Sequence, residues 1–274
     1  MLPPPRDQGC FLRSSPDFAA QFRADLLDLR AHWRRRVPPN APLWPLALGL
    51  TAVALLALAA VSVTFDVSAA RGARALPREV IDVFRVVTRF GESNWLFALS
   101  ILTLAGAFFA RAKAVTRFSR AAFGLLAGQA LYVFAVLSVS GLASQAIKHV
   151  IGRARPPLLD KVGPYYFEMF STTGIMASFP SGHTITVFAT TAALGLIQPR
   201  WTAPLLLMFA LPVLASRIIV GSHYPSDVCA GALIGLASAH LVALVFARRK
   251  IAFTVAPDSL WPRARRLKPR RAGA

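Results

Sequence analysis

Apolar residues are gathered into six runs, separated by polar stretches that contain most of the arginine and proline. A bilayer core of about 30 Å is crossed by about 20 residues of α-helix, so runs of this kind predict transmembrane helices. The pattern therefore predicts an all-α fold, a polytopic six-transmembrane helical bundle. The second and fourth runs are short for a full span, which flanking residues or local bilayer adjustment would accommodate. The six runs lie at about residues 43–65, 94–110, 121–147, 182–198, 201–220 and 226–247.

The segments outside these runs define the expected domain organisation. Residues 1–42 form an N-terminal leader, residues 43–247 form the six-span domain, and residues 248–274 form a basic tail. The leader contains acids, prolines and three successive arginines before any apolar run, unlike a cleaved signal peptide, so we expect the first run to be a retained span. Residues 18–33 have helical spacing, which leaves two alternatives: an amphipathic helix at the interface or a loosely ordered tail.

Two polar segments between the runs carry further patterns. Residues 77–90 place valines and a phenylalanine on one helical face, opposite Arg78, Asp82 and Arg85, which predicts a short surface helix lying on the bilayer. Residues 148–180 hold prolines, glycines and a group of three aromatic residues. That group either borders a substrate entrance or packs at the membrane interface, the commoner role of such aromatics.

Composition agrees with a membrane protein and orients it. The chain is 55% hydrophobic and has a mean hydropathy of +0.52, which is too apolar for an ordinary soluble domain. The net charge is +19, yet no nucleic-acid-binding motif accompanies it, so we expect no nucleic-acid partner. If the N-terminus is cytoplasmic, the inner segments hold 21 of the 31 lysines and arginines. The positive-inside rule therefore predicts that both termini are cytoplasmic.

The cysteines and histidines do not indicate a metal or cofactor site. The two cysteines, Cys10 and Cys229, lie far apart and are expected to be unpaired thiols. No histidine and carboxylate cluster has ligand spacing, apart from one pair that is better assigned to catalysis, and the neighbouring cations would repel a metal ion. We therefore expect no metal and no other cofactor.

Three short stretches concentrate ionisable residues beside the predicted spans. They are Lys148-x6-Arg155-Pro156, Pro180-Ser181-Gly182-His183, and Ser216-Arg217-x5-His223-x3-Asp227. Charged groups next to membrane spans are unfavourable unless they are paired, so they indicate a functional site. The predicted topology places all three stretches at the outer ends of spans, which predicts that they form one outward-facing site.

The cationic residues suit a phosphate group. Arginine binds phosphate through a planar fork of donors, and lysine adds a compact charge, so Lys148, Arg155 and Arg217 form a candidate clamp. Ser181 and Gly182 lie at the predicted start of a helix, where free backbone N–H groups and the helix dipole favour an anion.

The two histidines can divide the steps of phosphoryl transfer. His223 is the candidate nucleophile, and Asp227, four residues later, is expected to orient its imidazole. His183 is expected to protonate the leaving group and then to activate water against the phosphohistidine. The clamp would stabilise the charge that develops in both transition states.

The three stretches resemble the signature of the type 2 phosphatidic acid phosphatase superfamily, which includes membrane lipid phosphatases and vanadium haloperoxidases. All eleven fixed positions of that signature are present in order. The resemblance implies hydrolysis of a lipid phosphate without a metal through a phosphohistidine on His223. It also implies acid–base work by His183, orientation of His223 by Asp227, and phosphate binding by five further positions of the signature: Lys148, Arg155, Ser181, Gly182 and Arg217.

Several functional alternatives stay open at this stage. We expect a lipid phosphatase of a bacterial inner membrane that acts at the periplasmic face, with undecaprenyl diphosphate slightly favoured over phosphatidylglycerophosphate, phosphatidic acid and lipid A. Transfer of the phosphoryl group to a lipid acceptor is a second reading, and a non-catalytic membrane protein is a third. The oligomeric state is not predicted. Beside the site, His149 and Arg153 are expected at the headgroup interface, and His240 is expected to be buried.

Overall fold

The computed structural model describes residues 23, 24, 27, 30, 31, 44–256 and 259–267, with backbone alone for residues 44–47. The described part of the chain is mostly helical, as the sequence predicts. A short antiparallel hairpin, with strands β1 and β2, follows the last long helix. The elements are α1 (Trp44–Arg74), α2 (Arg78–Arg89), α3 (Ser93–Ala112), α4 (Arg117–Ile151), α5 (Gly182–Ile197), α6 (Ala203–Ile219), α7 (Pro225–Arg248), β1 (Phe253–Thr254) and β2 (Arg263–Ala264).

Within the described residues, five stretches are long and apolar enough to cross a membrane: Leu48–Arg74, Arg78–Ala112, Arg117–Ile151, Arg200–Ile219 and Pro225–Arg248. The second stretch contains both α2 and α3, so the surface helix predicted over residues 77–90 is present as a separate element. The fourth predicted span, which is absent from these five stretches, corresponds to α5, which has 16 residues and is about 24 Å long. Helix α5 packs against α4, α6 and α7, so protein rather than lipid covers much of its surface.

Two glycines allow α5 and α7 to approach closely. A Cβ atom at Gly231 would lie 2.8 Å from the carbonyl oxygen of Ser181, and one at Gly235 would lie 2.7 Å from the backbone nitrogen of Ala189. Small residues four apart permit this kind of contact between membrane helices. The close approach brings the first turn of α7 beside the first turn of α5, where two of the three sequence stretches lie.

Helix α4 ends at a glycine that redirects the chain toward the site. Gly152 has a φ of +58°, a left-handed conformation that glycine adopts without strain, and its N–H donates to the carbonyl of Lys148. A Cβ atom here would also collide with the carbonyl group of Glu168. The sharp end of α4 leaves Lys148 in the last helical turn and Arg155 in the loop that follows.

Part of the segment predicted as a basic tail folds against the bundle. Phe253 on β1 is fully buried, and its ring lies 4.7 Å from that of Tyr132 on α4. His240 is half-buried, and its ring lies 5.2 Å from that of Trp261 in the hairpin loop. The hairpin therefore closes the end of the bundle opposite Lys148, since Tyr132, which Phe253 contacts, lies about 24 Å along α4 from that residue.

In the N-terminal leader, residues 1–42, only five residues are described and can be compared with the predicted helix. Within residues 18–33, five described residues are helical: Arg23, Ala24, Leu27, Arg30 and Ala31. Their helical state agrees with the amphipathic-helix alternative. The rest of the leader, including Cys10, lies outside the described residues.

Candidate active site

The three ionisable stretches meet at one end of the bundle. The backbone N–H of Ser181, just before α5, donates to the backbone carbonyl of Asp227 in the first turn of α7 at 3.1 Å. A Cβ atom at Gly182 would lie 3.2 Å from the Lys148 ammonium, so glycine lets this cation approach the start of α5. The convergence predicted from the spans is therefore present in the structure.

His223 lies in the loop between α6 and α7 and is 3% exposed. Its Nδ1 lies 2.7 Å from the backbone carbonyl oxygen of Ser178. A carbonyl oxygen can only accept, so Nδ1 carries the proton and donates it to this bond. The other nitrogen, Nε2, is then unprotonated and has a lone pair available for attack on phosphorus.

Burial keeps this imidazole neutral. Desolvation is the largest effect, and together with the nearby positive charges of Arg217 and Arg155 it lowers the pKa of His223 to about 4, although Asp227 acts in the opposite direction. A histidine with this pKa is unprotonated at neutral pH, as a nucleophile must be.

Asp227 orients His223 less directly than its spacing suggests. Its Oδ2 lies 3.8 Å from Nδ1 of His223, which is too long for a hydrogen bond. The same oxygen accepts from the hydroxyl of Ser178 at 2.6 Å and from the backbone N–H of Tyr224 at 2.9 Å. Asp227 therefore holds the two residues around the imidazole, the Ser178 carbonyl acceptor and the Tyr224 backbone, while the Ser178 carbonyl itself fixes the tautomer.

Behind Asp227 lie two charged residues that the sequence did not place in the site. Arg153 donates to Oδ1 of Asp227 at 2.6 Å and to Oδ2 of Asp66 at 2.8 Å. Arg153 is 3% exposed and Asp66 is fully buried, so the headgroup position expected for Arg153 is wrong. The physical reason is the pair of carboxylates, which together compensate a buried guanidinium.

The sequence held one usable signal for Asp66. Asp66 is the only acid in the 31 residues of α1. The first predicted apolar run stops at residue 65, so the prediction placed Asp66 just outside the span. The helix continues to Arg74, so the acid lies inside the helix, where it needs a buried partner. His149, in contrast, is exposed and lies 3.2 Å from the carbonyl of Ser171, at the edge of the site.

The arginines of the clamp keep donors free. In the described part of the chain, the buried Nε atoms of Arg155 and Arg217 have no hydrogen-bond partner. Nη1 of Arg217 donates to the hydroxyl of Thr88 on α2 at 2.5 Å, which holds the guanidinium in place. Burial of Arg155 lowers its pKa, although Asp227 opposes the effect, and the group still carries its charge at neutral pH. Buried donors of this kind are arranged for an anion.

Ser181 and Gly182 begin α5 beside these cations. Ser181 is fully buried, and its Oγ accepts from the hydroxyl of Thr184 at 3.0 Å. Gly182 and His183, in the first turn of the helix, both line the neighbouring cavity together with Lys148. The positive end of the α5 dipole is thus directed at the place where the cations converge.

A cavity of about 680 Å³ opens between α3, α4 and α5. At one end it reaches Lys148, Gly182 and His183. Its walls combine apolar side chains with polar ones from the start of α3 and the end of α4, including Phe97, Leu137, Leu142, Glu92, Asn94 and Gln145. The volume and the mixed lining suit an amphiphilic molecule that presents an anionic group to Lys148.

No set of three or more histidine, cysteine, aspartate or glutamate side chains that could hold a metal ion occurs within the residues described.

Comparison with known proteins gives three findings. The family model described as PAP2 superfamily matches residues 129–251. A lipid A 1-phosphatase of Rhizobium johnstonii is 37% identical over 247 residues, which cover 90% of this chain and 98% of that protein. An undecaprenyl-diphosphatase of Sulfolobus acidocaldarius is 38% identical over 88 residues, which cover 32% of this chain and 41% of that protein.

Among the solved structures that match this chain, one aligns with most of its length. It is the crystal structure of a transmembrane PAP2 type phosphatidylglycerolphosphate phosphatase from Bacillus subtilis, with 20% sequence identity and a TM-score of 0.46. The similarity covers 82% of this chain and 93% of that chain.

Proposed function

The chain belongs to the PAP2 superfamily, and from that premise we propose that it removes the 1-phosphate from a glycolipid of the lipid A type. It is a multi-pass membrane phosphatase whose substrate is a lipid phosphate. The choice of lipid is supported by the near-complete coverage of the lipid A 1-phosphatase relative, which extends well beyond the phosphate-binding stretches.

The observation that carries the catalytic proposal is the state of His223. Its Nδ1 proton is held by the Ser178 carbonyl, its pKa is lowered to about 4 by burial, and cations lie beside it. These properties support a neutral imidazole whose Nε2 attacks phosphorus. In the same proposal, Lys148, Arg155 and Arg217 bind the phosphate oxygens with the backbone at Ser181 and Gly182.

The reaction proceeds in two displacements. In the first, Nε2 of His223 forms a bond to phosphorus as the bond between phosphorus and the glycolipid oxygen breaks, and His183 donates a proton to that oxygen. In the second, His183 takes a proton from a water molecule, whose oxygen attacks phosphorus. The bond from phosphorus to His223 breaks, and inorganic phosphate leaves. The clamp stabilises the extra negative charge in both transition states.

The cavity supports a substrate with a polar body and an apolar tail. Polar side chains at the start of α3, including Glu92 and Asn94, and Gln145 on α4 lie near the cationic end. They can bind the hydroxyl groups of a sugar, and Phe97 and Leu142 offer apolar surface to acyl chains. The sugar of a lipid A-type substrate would lie directly beside its phosphate, where these polar groups are.

A second candidate substrate is a polyprenyl diphosphate. The similarity to an undecaprenyl-diphosphatase supports it, but that similarity covers less than half of the relative and about a third of this chain. Lipid A therefore replaces undecaprenyl diphosphate, which the sequence slightly favoured, as our leading proposal.

The proposed orientation places the site at the outer face. The basic residues that follow α3 and α7 lie at the end of the bundle remote from Lys148, and the positive-inside rule assigns that end to the cytoplasm. We accordingly propose that the six-span domain occupies residues 43–247 of an inner-membrane protein, with the site facing the periplasm.

The test is phosphate release by the purified protein in detergent with a chelator present. Lipid A, undecaprenyl diphosphate, phosphatidylglycerophosphate and phosphatidic acid are compared at equal concentrations. We expect release from lipid A with the highest kcat/KM, and loss of release in the His223→Ala variant. A preference for undecaprenyl diphosphate would overturn the substrate, whereas a strict metal requirement or an active His223→Ala variant would overturn the mechanism.

The same assay separates hydrolysis from transfer. With a lipid acceptor added, labelled phosphate that appears in the acceptor instead of in free phosphate would show that the enzyme is a phosphotransferase. We expect the label in free phosphate, because water is the acceptor in the reaction proposed.

A further inference from the structure

We propose that Asp66 and Arg153 are positioning residues, which form a buried charged chain with Asp227 and through it hold the loop that carries His223. The proposal rests on the role of His223 given above. It assigns a part in the reaction to α1, a helix that contributes none of the residues recognised from the three sequence stretches.

Asp66 is saturated with hydrogen bonds. Its Oδ2 accepts from the hydroxyl of Ser62 at 2.7 Å, from that of Ser226 at 2.6 Å and from Nη2 of Arg153 at 2.8 Å. Its Oδ1 accepts from the backbone N–H of Ser226 at 2.9 Å. Two of these donors belong to the residue before Asp227, so α1 holds the first turn of α7 directly.

Arg153 joins the two carboxylates. One side of its guanidinium contacts Asp66 and the other contacts Asp227, while its Nε donates to the carbonyl of Pro164 at 3.0 Å. Its guanidinium carbon lies 4.4 Å from the ring centre of Tyr224, the residue after the nucleophile. The planar fork of arginine makes these contacts at fixed angles, which a lysine cannot do.

The chain of contacts continues to the nucleophile. Asp227 accepts from the Ser178 hydroxyl, and the Ser178 backbone carbonyl accepts from Nδ1 of His223. The backbone N–H of Ser178 donates to the carbonyl of Arg153 at 3.0 Å, so Arg153 holds both sides of this link. A shift of Asp227 would therefore move the group that fixes the imidazole.

The energetics favour a positioning role over simple stabilisation. A buried ion pair gains Coulomb energy but loses the hydration of both charges, and apolar residues of similar volume often stabilise a core as well or better. A charged chain that satisfies its hydrogen bonds instead imposes one geometry on the groups it joins. Here the charged chain of Asp66, Arg153 and Asp227 leads to Ser178, whose carbonyl accepts the Nδ1 proton of His223.

The experiment is a double-mutant cycle on the purified full-length protein with the preferred lipid phosphate. Asparagine at position 66 keeps the shape but removes the charge, and its single oxygen cannot accept four hydrogen bonds. We expect Asp66→Asn to lower kcat by about 10- to 100-fold and to change KM by less than about 3-fold, as loss of an orienting contact does. Arg153→Lys, which keeps the charge but not the fork, is expected to give the same pattern.

Coupling within the cycle tests whether both residues act along one path. We expect the double variant to have a kcat within about 3-fold of the slower single variant, because each change breaks the same chain. The proposal would be overturned if the fold-loss of kcat in the double variant equalled the product of the two single losses. A change confined to KM, or an unchanged kcat in Asp66→Asn, would also overturn it.

A milder pair of variants covers the case in which Asp66→Asn does not fold. Ser62→Ala removes one donor to Asp66, and Thr64→Ala removes an exposed hydroxyl that bonds only backbone carbonyls of its own helix. We expect kcat to fall about 2- to 5-fold in Ser62→Ala, in line with one hydrogen bond, and to stay unchanged in Thr64→Ala. Equal kcat in both variants would contradict the proposal.

A control separates this proposal from the proposed function. If His223→Ala keeps its activity, the catalytic role of His223 fails, and the positioning role of Asp66 and Arg153 fails with it. If His223→Ala is inactive while Asp66→Asn retains full kcat, only the positioning role of the charged chain fails.

Discussion

At His223, the carbonyl of Ser178 accepts the Nδ1 proton and burial disfavours the charged ring, so two separate features produce one neutral imidazole. The low pKa has a directional consequence. A histidine with an ordinary pKa would be half protonated near pH 6.5, whereas this one stays unprotonated until the pH falls through about 4. Below that pH, Nε2 binds a proton and cannot attack.

This pKa can be measured without the reaction, which avoids the ionisation of the substrate phosphate. In protein labelled with ¹⁵N-histidine, the signals that disappear in His223→Asn should titrate near pH 4. A titration midpoint near 6.5 for His223 would show that burial does not control its charge.

Thr88 makes a second residue-scale prediction. Its hydroxyl holds Arg217, so replacing it with valine should leave the guanidinium less ordered before substrate binds. Loss of one hydrogen bond to a charged group corresponds to a rise in KM of about 10-fold, with kcat changed little. The matched control is Thr103→Val, whose hydroxyl bonds the Leu99 carbonyl in its own helix. A fall in KM would show instead that Thr88 competes with the substrate.

Single residues also show what sequence could and could not predict about the site. The fixed spacing of the three stretches was enough to predict that His183, His223 and the clamp converge. Ser178 lies outside those stretches, and Arg153 is a variable position within one of them. Their roles depend on a carbonyl direction and on a carboxylate from α1, which only the folded chain brings together.

Among the elements, the contact between α5 and α7 positions the catalytic turns. The backbones of these two helices approach most closely at Gly235, where a methyl group would meet backbone atoms of α5 that cannot move aside. Gly235→Ala should therefore lower the free energy of unfolding by about 1–3 kcal/mol, although alanine favours helix. Gly106→Ala on α3 is the control, because nothing lies within 4 Å of its added Cβ.

Thermal unfolding in detergent, followed by circular dichroism, provides the measurement. We expect a lower midpoint and lower activity for Gly235→Ala, and an unchanged or higher midpoint for Gly106→Ala. Equal unfolding midpoints for the two variants would show that the close approach of α5 and α7 at Gly235 does not contribute to stability.

The element boundaries were predictable to the extent that hydropathy decides them. The short fourth run is a 16-residue helix, and packing against three neighbours accounts for its length. The two glycines at positions 231 and 235 are a recognisable packing signal in an apolar run. The hairpin Phe253–Ala264 was not predicted, because the basic residues on both sides of it suggest a solvated tail, and the burial of Phe253 depends on the contact with Tyr132.

On the scale of the whole molecule, the site and the basic segments lie at opposite ends of the bundle. The orientation proposed from this separation is tested with reporters. Because the hairpin packs on the bundle, the fusion is made after Ala274 and not before the hairpin. Alkaline phosphatase, which needs the periplasm, should be inactive there, and a fluorescent protein that folds in the cytoplasm should be bright. The reverse result would place the site inside the cell.

The central claim is that His223 carries the phosphoryl group, and it is tested most directly by trapping that intermediate. Enzyme mixed with lipid labelled with ³²P on the phosphate is quenched within the first turnover, digested and mapped by mass spectrometry. The account predicts label on His223 in a bond that is stable to base and labile to acid, and no label in His223→Asn. Label on another residue, or full turnover by His223→Asn, would contradict it.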